Sequence, residues 1–129
     1  MASQRPPKLS DAEWEIMNII WDRGESTVLD VLAAINGSRE EKVGRTTVQV
    51  QMTRLEEKGW LTYRTEDRTY YYKPTQCREY AASRFVRDAT ARVFGGSGAE
   101  LVRALFSNVP LSKKEIEELR GILDSYKGE

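Results

Sequence analysis

Thr46, Thr47, Val50, Thr53 and Arg54 carry the side chains in this chain best suited to reading the edges of base pairs. Threonine hydroxyls donate and accept hydrogen bonds, threonine and valine methyls pack on the thymine methyl, and an arginine fork matches guanine. They fall together because a helix predicted over residues 46–58 puts its apolar residues, Val48, Met52 and Leu55, at i, i+4 and i+7 on one core-facing stripe. At about 100° per residue, the five lie within roughly 90° of the opposite side. Gly59 stands where a left-handed cap would end the helix. Glu56 and Glu57 fall in the last turn, and it is the N-terminal part of a recognition helix that enters the groove. An amphipathic surface helix would show the same period, so the helix alone leaves both readings open.

The residues that follow favour the nucleic-acid reading. Residues 60–65 and 69–73, rich in threonine and aromatics, predict two strands joined by a polar turn of Glu66, Asp67 and Arg68. Leu61 and Tyr63 alternate with Thr62 and Arg64, and Tyr70 and Tyr72 alternate with Thr69, Tyr71 and Lys73, so one face packs while the other meets solvent or phosphate. Arg64, Arg68 and Lys73 would line this hairpin and its tip, within reach of the sugar-phosphate backbone or the adjacent minor groove. The competing reading is a solvated ribbon with routine surface charge.

Composition bounds these readings. The 129 residues make one domain or two small ones, able to bury about two-thirds of the unfolded surface. With 20 Lys and Arg against 20 Asp and Glu, total charge says nothing about a nucleic-acid partner, but its distribution does. Residues 10–41 hold 2 basic and 8 acidic side chains, whereas residues 42–73 hold 7 basic and 4 acidic, so the positive field sits on the helix and hairpin. There is no histidine and a single cysteine, which removes Ser-His-Asp and Cys-His catalysis, the usual zinc ligand sets and an intrachain disulfide. No Gly-rich phosphate loop or compact acidic pair stands in their place, so an enzyme, a metal and a cofactor are not expected. Cys77 falls in an apolar stripe and reads as a small buried hydrophobe. No leader or run of 18 apolar residues is found, and a cytoplasmic protein without membrane insertion is expected.

The remaining elements must position these side chains. Residues 1–8, with Pro6 and Pro7, read as a flexible arm, either a disordered tail or one whose Arg5 and Lys8 touch phosphate. Ser10 and Glu13 form a capping box for a helix from Asp11 to about Asp22, with Ala12, Ile16, Ile19 and Ile20 on its apolar face. Trp14, Met17 and Trp21 broaden that face, and Gly24 breaks the helix. Ser26 or Thr27 caps a second helix through Val28, Leu29, Val31, Leu32 and Ile35, ending at Asn36-Gly37. A polar loop then leads to the third helix. Helix, helix, recognition helix and hairpin, with a short first strand at Ser26-Thr27-Val28, is the order of a winged helix-turn-helix domain.

Beyond Pro74 the chain reads as helical. Residues 75–94 carry Cys77, Ala81, Phe85, Ala89 and Val93 at i+4 spacing beside Ala82 and Val86. Leu101, Val102, Leu105 and Phe106 form a shorter apolar segment, and a Ser112–Glu115 capping box opens a last helix bearing Ile116, Leu119, Ile122, Leu123 and Tyr126. Three such stripes exceed what a small wing domain covers. They imply either a homodimer or a bundle packed on itself, and the dimer interface is expected to include Phe85, Val86, Leu101, Leu105, Ile116, Leu119 and Leu123.

The run Leu9-Ser10-Asp11-Ala12-Glu13-Trp14-Glu15-Ile16-Met17-Asn18-Ile19-Ile20-Trp21 resembles the opening of the penicillinase-repressor and methicillin-resistance-repressor family. Similar to the same family are Thr53-Arg54-Leu55-Glu56-Glu57-Lys58-Gly59, Asp67-Arg68-Thr69-Tyr70-Tyr71-Tyr72-Lys73-Pro74 and Leu111-Ser112-Lys113-Lys114-Glu115-Ile116-Glu117-Glu118-Leu119. The resemblance implies a homodimeric winged-helix repressor of pseudo-palindromic operator DNA: an arm over 1–8, a DNA-binding domain over 9–74 and a three-helix dimerisation domain over 75–129. It carries the operator contacts onto Thr46, Thr47, Val50 and Arg54, of which Thr46 and Val50 depart from the lysine and threonine of the best-known members. It also implies a membrane sensor metalloprotease that triggers cleavage at an Asn-Phe bond, here aligned with Ala104-Leu105, with Phe106 one residue later. The C-terminal cysteine cluster of copper-responsive relatives is missing. The alternative function is a protein-interaction module on the same scaffold, with the groove face unused.

Overall fold

The computed structural model describes residues 6–127, and its elements follow from local chemistry. Helix α1 spans Asp11–Arg23, α2 Val28–Gly37, α3 Arg45–Glu57, strand β1 Leu61–Glu66, β2 Thr69–Pro74, and helices α4 Arg78–Val93, α5 Gly98–Asn108 and α6 Lys113–Ser125. Reciprocal capping boxes open α1 (Ser10 with Glu13), α2 (Thr27 with Asp30) and α6 (Ser112 with Glu115), each satisfying donors that a helix N-terminus leaves over. Helix α3 ends in a Schellman cap: the Trp60 N–H reaches the Leu55 carbonyl at 2.9 Å, and the N–H of Gly59, at φ +93°, reaches Glu56 at 3.0 Å.

The chain divides into two compact units, residues 1–82 and 83–129. In the first, one core gathers Ile16, Met17 and Ile20 of α1, Val31 and Ile35 of α2, Val48, Met52 and Leu55 of α3, and Trp60, Leu61, Tyr72 and Ala81. The antiparallel hairpin pairs Leu61 with Pro74 and Glu66 with Thr69. The expected first strand is a single bridge: Ser26 exchanges backbone hydrogen bonds of 2.9 and 2.8 Å with Tyr72, and Thr27 already caps α2. The opening of α4 belongs to this unit. Trp21 Nε1 donates to the Gln76 carbonyl at 2.9 Å, Arg78 pairs with Asp22 at 2.7 Å, and Tyr80 lies against Trp60.

Three expectations change here. The segment 6–8 is not a loose arm: Pro6 is buried, and the Pro7 carbonyl accepts from Trp60 Nε1 at 2.8 Å; Arg5 lies outside the described residues. Cys77 is exposed, because α4 starts one residue after it and takes the i+4 stripe without it. Leu29 is exposed on the outer side of α2.

Glu13 is a charge buried in this core. Its carboxylate accepts from Lys58 Nζ at 2.7 Å and from the Ser10 N–H at 2.8 Å, tying the start of α1 to the end of α3. Burial raises its pKa, but the Lys58 ammonium and Ser10 outweigh that, and the carboxyl sits below the ordinary glutamate value. A depressed acid contributes stability above its unfolded pKa and loses it as pH falls through the folded value. Glu13→Gln is therefore expected to cost about 2 kcal/mol at neutral pH, with Lys58 left half-paired. In urea titrations the gap to wild type should be full above the ordinary glutamate range and close as pH falls below it; a constant gap would mean that packing, not charge, is lost.

In the second unit, α4 continues, α5 starts at a Ser97 cap, and α6 at Ser112. No described side chain from 83 onward is buried. Phe85 is 58% exposed and Leu123 73%. No helix among the described residues is long and apolar enough to cross a membrane.

Candidate nucleic-acid interface

Helix α3 is held from behind and bare in front. Val48, Met52 and Leu55 are buried, while Thr46, Thr47, Val50, Thr53 and Arg54 are all exposed. The helix begins one residue earlier than its period indicates. Gly44 supplies no side-chain cap, no acidic residue occupies the first turn, and Arg45 stands there instead. That end is thus left with unsatisfied N–H groups and a positive dipole end, which favour an anion. Gln49 is exposed on the same helix, and its amide matches adenine; it lies near the edge of the outward arc, where the period alone does not separate it from a flank residue.

The loop before α3 is built to hold that helix. The Asn36 side chain both accepts from the Val43 N–H at 2.9 Å and donates to its carbonyl at 3.1 Å. One terminal nitrogen of Arg39 donates to both Glu15 oxygens, at 2.7 and 2.9 Å, tying the loop to α1. Lys42 Nζ donates to the carbonyls of Asn36 and Arg39.

The hairpin places its cations unequally. Asp67 and Arg68 form the two-residue turn at φ +52° and +67°, the left-handed geometry of a type I′ hairpin that normally takes glycine. Arg68 carries that backbone cost at the tip and has no ion pair among the described residues. Lys73 pairs across the strands with Thr62 and is exposed. Arg64 is different: it is engaged by Glu25 at 2.9 Å and Glu66 at 2.6 Å and stacks on Tyr71. Those two carboxylates hold its guanidinium above its ordinary pKa.

On the other face Tyr63 stacks on Tyr70 at 4.5 Å, and Tyr72 tilts against both. Burial raises the Tyr72 phenol above its ordinary pKa, and polar contact with the Thr53 side chain works against that rise. No group of three or more metal-ligating side chains comes together among the described residues.

The chain is similar to known proteins over most of its length. A family model described as penicillinase repressor matches residues 9–125. The penicillinase repressor of Bacillus licheniformis is 30% identical over 125 residues, 94% of this chain and 93% of its own length. That of Staphylococcus aureus is 29% identical over 117 residues, 91% of each chain. A solution structure of the Bacillus licheniformis BlaI monomeric form in complex with the blaP half-operator is 28% identical, with a TM-score of 0.49, over 58% of this chain and 89% of that one. With a match running from the start of α1 to the end of α6, the chain belongs to the penicillinase repressor family, a family of transcriptional repressors and not of enzymes.

Proposed function

We propose that this protein is a homodimeric cytoplasmic repressor in which paired α3 helices read two half-sites of a pseudo-palindromic operator, while Arg68 and Lys73 hold the backbone beside them. The observation that carries this reading is the exposed face of α3. Thr46, Thr47, Val50 and Arg54 have no role in the core, yet the helix that bears them is fixed by three buried side chains, a Schellman cap and the Asn36 clamp. Rigid placement of base-reading side chains is what major-groove recognition requires. The dimer reading is supported by residues 83–127, where no described side chain is buried and Val86, Val93, Phe106, Ile122 and Leu123 stand exposed in a single chain. A membrane sensor metalloprotease acting at Ala104-Leu105 would have to open α5 first, because the bond lies inside that helix.

Selection of bound duplexes from a randomised library at near-physiological salt tests the reading. A two-fold-symmetric motif with half-sites about one helical turn apart is expected. Weak binding that vanishes as salt rises would instead favour a protein-interaction module. On the selected duplex, Arg54→Ala should lose about 1–3 kcal/mol, with little change on scrambled DNA. Arg68→Gly should behave in the opposite way: lower affinity on every sequence, a salt slope smaller by about one, and a hairpin relieved of about 1 kcal/mol of left-handed strain. Equal losses on both duplexes for Arg54→Ala would reduce it to a phosphate contact.

A further inference from the structure

Arg64 sits on the wing, where a cation could meet the DNA backbone, yet three of its five N–H donors are already engaged by carboxylates. Its Nε and one terminal nitrogen donate to the two oxygens of Glu25, both at 2.9 Å, and the other terminal nitrogen donates to Glu66 at 2.6 Å. The Tyr71 ring covers one flat side, 4.5 Å from the guanidinium carbon. A bidentate carboxylate fork is the strongest pairing a guanidinium makes at a protein surface.

The main partner is delivered by rigid backbone. Glu25 directly precedes Ser26, which is fully buried and exchanges both backbone hydrogen bonds with Tyr72 of β2. Arg64 on β1 therefore grips the turn after α1 at the point where that turn is stitched to β2. The charge balance points the same way. One guanidinium faces two carboxylates, so giving Arg64 to a phosphate would leave Glu25 and Glu66 without it beside a further anion, with Lys73 near Glu25 to offset them in part.

We infer that Glu25 and Glu66 withhold Arg64 from the DNA backbone, making it the clasp that fixes the wing to the α1–α2 turn and limiting the wing's sequence-independent attraction to Arg68 and Lys73. Glu25 is then a specificity-setting residue that touches no base. With less backbone attraction, the protein binds non-cognate DNA more weakly and depends more on α3. The inference rests on the function proposed above and adds to it which cations count.

The test is a mutant cycle on the full chain, reading the salt dependence of binding to the selected duplex and to a scrambled one. Arg64→Ala should leave the slope of log affinity against log salt as in wild type. Glu25→Gln with Glu66→Gln should steepen it by about one and tighten scrambled-duplex binding several-fold, and adding Arg64→Ala should remove that gain. A wild-type slope that flattens by about one with Arg64→Ala alone would overturn the assignment, because DNA would then displace Glu25. A slope insensitive to Arg64 in both backgrounds would overturn the restraint. Without DNA, Arg64→Ala and Glu25→Gln should each speed amide exchange at Ser26 and Tyr72 several-fold, with no further gain when combined; unchanged exchange would overturn the clasp. Failure of the wild type to prefer any duplex would instead sink the proposed function and leave the exchange result standing.

Discussion

Phe85→Glu combined with Leu123→Glu is expected to yield a folded monomer whose affinity for a full two-half-site operator falls by about 10²–10⁴. Both side chains are exposed in the single chain, at 58% and 73%, so charging them costs one chain little. At the interface of two chains the same carboxylates would be buried without partners, which is prohibitive. Binding of two half-sites by a linked pair makes the second contact intramolecular; loss of the link returns each α3 to its own weak affinity. Sedimentation would report the change in mass, titration of full and half operators the change in affinity. Affinity for an isolated half-site should be unaltered. A variant that stays dimeric would move the interface away from this stripe, and a monomer with wild-type operator affinity would remove dimerisation from the mechanism.

Trp60→Ala is expected to destabilise the first unit by about 3–5 kcal/mol, the range for a large aromatic truncated in a core. The side chain is 2% exposed and sits in the core of the first unit. Its backbone N–H closes the Schellman cap of α3, and its carbonyl accepts from the Thr75 N–H at 3.0 Å. Its indole N–H holds Pro7 at 2.8 Å, and its ring lies 6.2 Å from that of Tyr80. Trp60→Phe keeps most of the volume and should lose only about 1 kcal/mol, mostly the bond to Pro7. Urea denaturation of the two variants separates packing from hydrogen bonding. A loss below about 1 kcal/mol for the alanine variant would mean that the cavity collapses freely and that this joint is not central to the fold.

Much of the interface is legible in the residues themselves. The exposed face of α3 follows from Val48, Met52 and Leu55, since whatever lies opposite a buried stripe on a helix is outside it. Two of the three capping boxes, Ser10 with Glu13 and Ser112 with Glu115, and the glycine at position 59 are equally plain, because the atoms involved are within a few residues of one another. The hairpin period predicted which strand residues share a face, and the observed register bears that out. Glu13 was visible as a cap but not as a buried charge, because its partner Lys58 lies 45 residues away. Arg64 read as one more surface cation for the same reason: Glu25 is 39 residues earlier. Cys77 was misplaced because a period cannot tell where a helix begins, and α4 starts just beyond it.

The sequence by itself determined the elements, their order, the face that α3 presents and the family, since each depends on spacing, caps and composition along the chain. Only the tertiary structure decided how the charges are shared. It engages Arg64 with Glu25 and Glu66, buries Glu13 against Lys58 and leaves Arg68, on a left-handed turn, without an ion pair among the described residues. Coulomb and hydrogen-bond energies depend on distance in space, and the fold brings together side chains that no local pattern relates.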